Sequence, residues 1–209
     1  HMHQVKKIVK STCLIWMLGL SSVVVAENPL VTQAKQLQLG TETIGIDHQK
    51  AIALLQQAAA KNDTDAMVLL AQYYYPSSKY SYLPENTKKN LDLLIFAAQK
   101  SNWDAIEILL QREGLEKGLM LTSSVDAKKN YKPIIEQGMA KKDPRAYVLM
   151  TEVLKDPYAT EYSLEQCKLL YQANQLGDAW LAGARLQECD MYLEAFNLSE
   201  ENSFSAQYT

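Results

Sequence analysis

An internal repeat constrains the fold of this chain more than any other feature of its sequence. Residues 47–75 align with residues 86–113 at a spacing of 39, and both segments carry an alanine pair followed by a third alanine. Looser copies follow at 126–154 and 163–193, and a partial copy precedes them at 31–46. Units of this length bury their apolar faces only against their neighbours, so the copies are expected to stack.

Each copy predicts two helices joined by a tight turn. Apolar residues of the first copy recur at steps of three and four, as along one face of a helix: Ile52, Leu55, Ala59, Ala66, Leu69, Leu70 and Tyr73. Residues that favour helix starts precede the second helices: Asp63, Asn102 and Asp143, the last followed by Pro144. Ser163 and Gln166 form a capping-box pattern at the start of the fourth copy. No segment alternates clearly enough to predict a strand.

Small residues explain how the two helices of a copy can approach closely. Ala58 and Ala59 lie near the end of the first helix, and Ala66 lies near the start of the second. Close helix packing requires such small side chains on the facing surfaces. The third copy has Gly138 in the alanine pair, and the fourth is aligned with Ala179 in the Ala66 position, which makes its turn one residue shorter.

The first 26 residues predict a secretory signal peptide. Three lysines precede a short apolar run at 13–20, and Val24, Val25 and Ala26 provide a cleavage site with small residues. The run is shorter than the ~20 residues that span a bilayer. A buried N-terminal helix is the alternative. We expect cleavage after Ala26 and a periplasmic mature chain without stable membrane insertion.

The charge of the chain bears on its class of partner, and its cysteines bear on the compartment in which it folds. After cleavage, 18 basic and 24 acidic residues give a net charge of −6, which argues against nucleic acid as a partner. Cys167 and Cys189 remain, and antiparallel helices in the fourth copy would bring them within about one helical turn. The sequence therefore predicts a disulfide between them in an oxidising compartment. Two unpaired buried cysteines are the alternative.

No residue pattern predicts catalysis or a cofactor. His48 is the single histidine after cleavage, and we expect it to be an exposed first-turn residue behind the cap Asp47. A nucleophilic triad needs a base beside its nucleophile, and a metal site needs converging ligands. Glycine-rich phosphate loops are missing from the sequence. Carboxylate pairs such as Glu161 and Glu165 are expected on solvated helix faces. The sequence predicts a protein that is not an enzyme and uses no metal or cofactor.

Aromatic and apolar residues in turns and insertions are the candidates for partner binding. Tyrosine and tryptophan are favoured at interfaces because they join an apolar body to a polar tip. The candidates lie at the end of the first copy, in the loop 76–84, in the second turn and in the insertion 114–125: Tyr75, Tyr80, Tyr82, Trp103, Leu119 and Met120. Three alternatives remain open. The loop tyrosines could fold back on the repeat, Trp103 could pack on the neighbouring turn, and the insertion could cap the core.

The turn sequence resembles that of a known repeat family. Residues 58–63 (AAAKND) and the spacing of Ala66, Leu70, Ala71 and Tyr74 resemble the Sel-one-like repeat, a tetratricopeptide-like family, over about 31–193. The resemblance implies an all-α fold. It would be a short right-handed α-solenoid of about four helix-turn-helix repeats plus an N-terminal helix, within 27–196. The segment 197–209 is expected to be a polar, frayed tail.

The resemblance also implies protein binding, since solenoids expose long surfaces for partners. Exported relatives of this size act as adaptors, envelope regulators or immunity proteins. We expect an immunity or inhibitor protein that neutralises a toxic secreted effector by 1:1 binding, for example a lipase delivered by type VI-like secretion. An envelope scaffold or regulatory adaptor that assembles several partners is the alternative. A hydrolase is the third hypothesis, which the lack of a nucleophile constellation opposes.

Overall fold

The fold is all-α, as the sequence predicts. A computed structural model describes residues 25–75, 82–84, 86–118, 126–178 and 181–208, and it contains no strand within these ranges. The helices are α1 (Pro29–Leu39), α2 (His48–Ala59), α3 (Thr64–Tyr74), α4 (Thr87–Gln99), α5 (Trp103–Gly118), α6 (Ala127–Ala140), α7 (Pro144–Val153), α8 (Leu164–Gln175), α9 (Leu181–Leu186) and α10 (Phe204–Tyr208). Two 3-10 segments, Gln187–Phe196 and Glu200–Asn202, lie between α9 and α10. Most of the predicted signal peptide, residues 1–24, lies outside the described ranges.

In the part of the chain that the structure describes, four helix hairpins close with the same turn. The backbone adopts a left-handed conformation once in each turn, at Asn62, Ser101, Lys142 and Gly177, with φ of 64°, 64°, 58° and 111°. The next backbone N–H donates to the carbonyl five residues earlier, which is that of Ala58, Ala97, Gly138 and Ala173 in turn. This bond satisfies a carbonyl at the end of the first helix. The repeated turn joins α2 to α3, α4 to α5, α6 to α7 and α8 to α9.

The predicted helix caps are confirmed. Carboxylate oxygens of Asp63 and Asp143 accept from the N–H groups of Ala66 and Arg145, at 2.9 and 3.0 Å. Asn102 caps α5 and Ser163 forms the capping box with Gln166. Each cap satisfies a backbone donor at a helix start and stabilises the fold by about 1 kcal/mol.

The predicted alignment of the fourth copy is wrong. The backbone N–H of Leu181 donates to Asp178 Oδ1 at 3.1 Å, as that of Ala66 does to Asp63. Leu181 therefore takes the position that the sequence comparison gives to Ala179, which itself lies outside the described residues. The fourth turn has the same length as the others. The cap sets the register of the copy, and a single small residue does not.

Side chains at the turns connect one hairpin to the next. Asn28 donates to Asp63 at 3.1 Å, Asn102 to Asp65 at 2.8 Å, and Trp103 Nε1 to Asp143 Oδ2 at 2.9 Å. These residues lie at the starts of α1, α3, α5 and α7. Hydrogen bonds between residues at successive helix starts thus hold α1 and the first three hairpins in one register.

An ion-pair network adds to this connection between α5 and α7. Arg145 Nη2 donates to Asp104 and to Glu107, at 2.7 Å each. Burial lowers the pKa of Arg145, but the hydrogen bonds and charges of the two carboxylates outweigh that effect and raise it above its ordinary value. Arg145 therefore holds the second and third hairpins together as a permanently charged group.

The apolar core of the described residues follows the chain in three clusters. The first joins α1, α2 and α3 around Leu55, the second joins α3 to α7 around Ile106, and the third surrounds Leu170. Helices pack chiefly on helices adjacent in the chain. Neighbouring copies therefore cover one another's apolar faces, as the repeat requires.

The predicted disulfide is confirmed. Cys167 of α8 is bonded to Cys189 of the first 3-10 segment, with a Cα–Cα distance of 5.8 Å. Both residues are buried in the third cluster. The bond closes a loop between residues 22 apart in sequence. Such a loop closure stabilises a fold by about 3 kcal/mol.

The expectation of a frayed C-terminal tail is wrong for residues 197–208. Phe204 is 1% exposed, and its ring centroid lies 5.2 Å from that of Phe196. Asp190 Oδ1 accepts from the backbone N–H of Phe204 at 2.8 Å, which caps α10. One aromatic side chain anchors this otherwise polar segment because its burial outweighs the polarity of its neighbours.

Candidate functional site

The first hairpin presents two exposed tyrosines at the end opposite its turn. Tyr75 follows the last residue of α3 and is 37% exposed, and Tyr82 of the next loop is 52% exposed. We call these two rings, with His48 and Arg112 that contact them, the tyrosine surface. Tyr80 lies in the same loop but outside the described residues.

The ring of Tyr82 stacks on the ring of His48, and His48 contacts the hydroxyl of the buried Tyr73. The two ring centroids lie 4.6 Å apart with 23° between the planes. His48 Nδ1 lies 2.9 Å from the hydroxyl of Tyr73, and that hydroxyl accepts from Gln38 Nε2 at 3.0 Å. The expectation of a solvated His48 is wrong, because the ring is half-buried between two tyrosines. Tyr82 is therefore presented on a base fixed by α1, α2 and α3.

Tyr75 is held from the second hairpin. The guanidinium of Arg112 lies 4.5 Å from the centroid of the Tyr75 ring. Arg112 Nη1 donates to Asn90 Oδ1 at 2.9 Å, and the buried Asn90 donates to the carbonyl of Ala71 at 2.7 Å. This chain of contacts fixes a cation over the aromatic ring. The tyrosine surface thus draws on α2, α3, α4 and α5.

Rings held in this way suit protein recognition. Tyr75 and Tyr82 each keep a large exposed area, while their contacts restrict their rotamers before any partner binds. Preorganised aromatic side chains lose little conformational entropy on binding. Such residues, together with arginine, are enriched among the contacts that dominate interface energies.

Trp103 packs on the neighbouring turn, which is the alternative to an exposed partner contact that the sequence leaves open. Its indole donates to Asp143 and its six-membered ring lies over Gly138. The side chain is half-buried and packs in the second core cluster. Trp103 therefore connects two hairpins. The other candidates, Leu119 and Met120, lie outside the described residues.

Charge is distributed unevenly along the chain, which the total charge conceals. Residues 27–155 carry 16 basic and 15 acidic residues, whereas residues 156–209 carry two basic and nine acidic residues. The acidic segment lines a groove of about 790 Å³ with Glu161, Glu188, Tyr162 and Met191. Burial raises the pKa of the Tyr162 hydroxyl above its ordinary value. Sequence reasoning missed this groove because it forms between segments distant in the chain.

A second groove, of about 530 Å³, runs along α4. Its apolar lining includes Phe96, which is 36% exposed. The sequence carries a signal for this surface, since an amphipathic helix with the alanine pair 97–98 facing the core turns Phe96 away from it. Sequence reasoning nevertheless placed the candidates in loops and turns alone.

Comparison with family models, with curated proteins and with solved structures finds no match to this chain. The Sel-one-like resemblance stays a prediction. Within the ranges that the structure describes, no group of three or more His, Cys, Asp or Glu side chains could hold a metal ion. Among the helices described, none has both the length and the apolar character that a membrane span requires.

Proposed function

We propose that this chain is an exported protein that binds one partner protein 1:1 through the tyrosine surface. The most concrete form of the proposal is an immunity or inhibitor protein that neutralises a toxic secreted effector, such as a lipase. The observation that carries it is the fixed presentation of Tyr82 on His48 and of Tyr75 under Arg112. A stoichiometric inhibitor needs a complementary, preorganised surface and no catalytic group.

Two further observations support the compartment and the solenoid fold that this proposal assumes. The disulfide Cys167–Cys189 suits a chain that folds in an oxidising compartment such as the periplasm. The repeated turn and the hydrogen bonds between successive helix starts support a short right-handed solenoid of Sel-one-like repeats. Solenoids of this kind present one continuous surface to a partner.

Affinity capture tests the proposal. The mature chain from Glu27, with a C-terminal tag, is mixed with periplasmic extract and with the products of neighbouring genes. We expect one dominant partner at 1:1 stoichiometry. The double variant Tyr75→Ala with Tyr82→Ala should weaken its binding at least about tenfold, which corresponds to about 1.4 kcal/mol.

The matched control is Tyr158→Ala. Tyr158 is 83% exposed and lies between α7 and α8, away from the first hairpin. Its loss should leave the affinity unchanged. Equal affinities of the wild type and the Tyr75/Tyr82 variant would remove the tyrosine surface from the proposal. Several weak partners without fixed stoichiometry would instead favour an envelope scaffold.

A further inference from the structure

The groove along α4 combines an apolar floor with an exposed aromatic ring. Met67 of α3 and Leu93 and Phe96 of α4 supply its apolar side chains. Met67 is buried, Leu93 is half-buried and Phe96 keeps more than a third of its surface exposed. Because burial decreases from Met67 to Leu93 to Phe96, the three side chains form an open apolar cleft that a side chain of a partner can fill.

Lysines surround this apolar floor. Lys88 and Lys89 line the groove, and Lys100 Nζ lies 5.8 Å from the centroid of the Phe96 ring. Asp92 is the acidic residue among the described lining, and it forms an ion pair with Lys88 at 2.7 Å. Among the described residues, the rim is therefore net positive, although the mature chain as a whole is acidic.

One end of the groove lies beside Tyr74, the last residue of α3. Lys89 lines the groove, and its Nζ lies 4.7 Å from the ring centroid of Tyr74, the neighbour of Tyr75. The backbone N–H of Asn86, which also lines the groove, donates to the carbonyl of Tyr74 at 3.0 Å. The groove therefore begins next to the end of α3, directly before Tyr75 in the chain.

We propose that the α4 groove binds an amphipathic, acidic helix of the partner protein. Apolar side chains of such a helix, spaced by three and four residues, would contact Phe96, Leu93 and Met67. Its glutamate or aspartate residues would face Lys88, Lys89 and Lys100, so that charge selects the partner and orients it. This inference rests on the proposed function and names the chemistry of the partner segment.

A synthetic peptide provides the probe. It is an amphipathic helix of about 14 residues, or four turns, with leucine on one face and glutamate on the flanking positions. A second peptide carries lysine in place of each glutamate. Binding to the mature protein is followed by fluorescence polarisation, and the contacted residues by NMR chemical-shift changes. We expect the glutamate peptide to bind at least about tenfold more tightly than the lysine peptide. The largest shifts should appear at Leu93 and Phe96.

Two variants test the groove directly. Phe96→Ala removes the exposed ring and should weaken the glutamate peptide about tenfold. Lys88→Glu with Lys89→Glu should weaken it at least as much. The control Lys141→Glu with Lys168→Glu makes the same change of net charge at two exposed lysines outside the groove lining. It should leave the affinity within about twofold, since screening limits distant charges. Thermal unfolding of each variant verifies that it is folded.

The outcomes separate this inference from the proposed function. Equal affinities of the two peptides, shifts confined to other surfaces, or equal effects of the groove and control variants would overturn the groove inference. Concentration-dependent self-association that Phe96→Ala abolishes would also overturn it, because the acidic end of a second copy would then be the occupant. A captured 1:1 partner that depends on Tyr75 and Tyr82 but not on Phe96 would retain the proposed function and reject the groove.

Discussion

The indole ring of Trp103 occupies the space that a side chain at Gly138 would need. A Cβ atom at Gly138 would lie 2.7 and 2.8 Å from two atoms of this ring, and 2.8 Å from the Cβ of Ala146. In the first two copies the same position holds Ala58 and Ala97. The glycine of the third copy therefore accommodates the tryptophan of the second.

This contact predicts a coupled pair of substitutions. Gly138→Ala should lower the free energy of unfolding by about 1–3 kcal/mol, because it overpacks the space under Trp103. In a Trp103→Ala background the same change should lower the free energy of unfolding by less. The loss that remains comes from the close approach to the Cβ of Ala146. Urea denaturation of the four proteins of the cycle measures the coupling. An equal cost of Gly138→Ala in both backgrounds would show that the ring is not the cause.

Loss of the disulfide should weaken the C-terminal hairpin most. Replacing both Cys167 and Cys189 with alanine should lower the free energy of unfolding by about 3 kcal/mol. Hydrogen exchange should rise mainly in α8 and in the 3-10 segment that follows α9, because the disulfide joins these two segments directly. Reduction of the wild type should reproduce the pattern. A uniform rise that includes α2 and α3 would contradict this local role.

Phe204 should contribute far more to stability than its polar surroundings indicate. Phe204→Ala should lower the free energy of unfolding by about 3 kcal/mol, because it empties a buried site between α8 and α10. Tyr158→Ala, at an exposed position, should change it by less than about 0.5 kcal/mol. Denaturant titration compares the two. Similar small effects of both would mean that the C-terminal segment is frayed after all.

Sequence patterns predicted the local features of this fold and missed those that depend on distant segments. Caps and the turn residues follow from short stretches of chain, and the Cys167–Cys189 pair follows from the geometry of one hairpin. The contact of His48 with Tyr73 and Tyr82 joins residues up to 34 positions apart, and nothing local signals it. The burial of Phe204 likewise needs Tyr171 and Phe196, so composition alone suggested a tail.

Alkaline pH should destabilise the protein through buried tyrosines. Burial raises the pKa of Tyr131 above its ordinary value of 10.0, because the ionised hydroxyl is poorly solvated there. The contribution of Tyr131 to the free energy of unfolding is therefore fully present below pH 10. It is lost as the pH rises through the pKa of Tyr131 in the folded state. Tyr131→Phe should flatten this loss of unfolding free energy in urea titrations between about pH 9 and 11. Tyr158→Phe, which removes an exposed hydroxyl, should leave this pH dependence unchanged. If the free energy of unfolding fell equally steeply with pH in both variants, Tyr131 would not be the cause of the loss.

We propose that Tyr75 and Tyr82 form the contact surface for a single protein partner. Titration calorimetry with the captured partner tests this most directly, because it gives stoichiometry and affinity together. We expect one binding site per chain and a loss of affinity of at least about tenfold in the double alanine variant, with the affinity of Tyr158→Ala unchanged. A stoichiometry other than 1:1, or equal affinities of all three proteins, would contradict it.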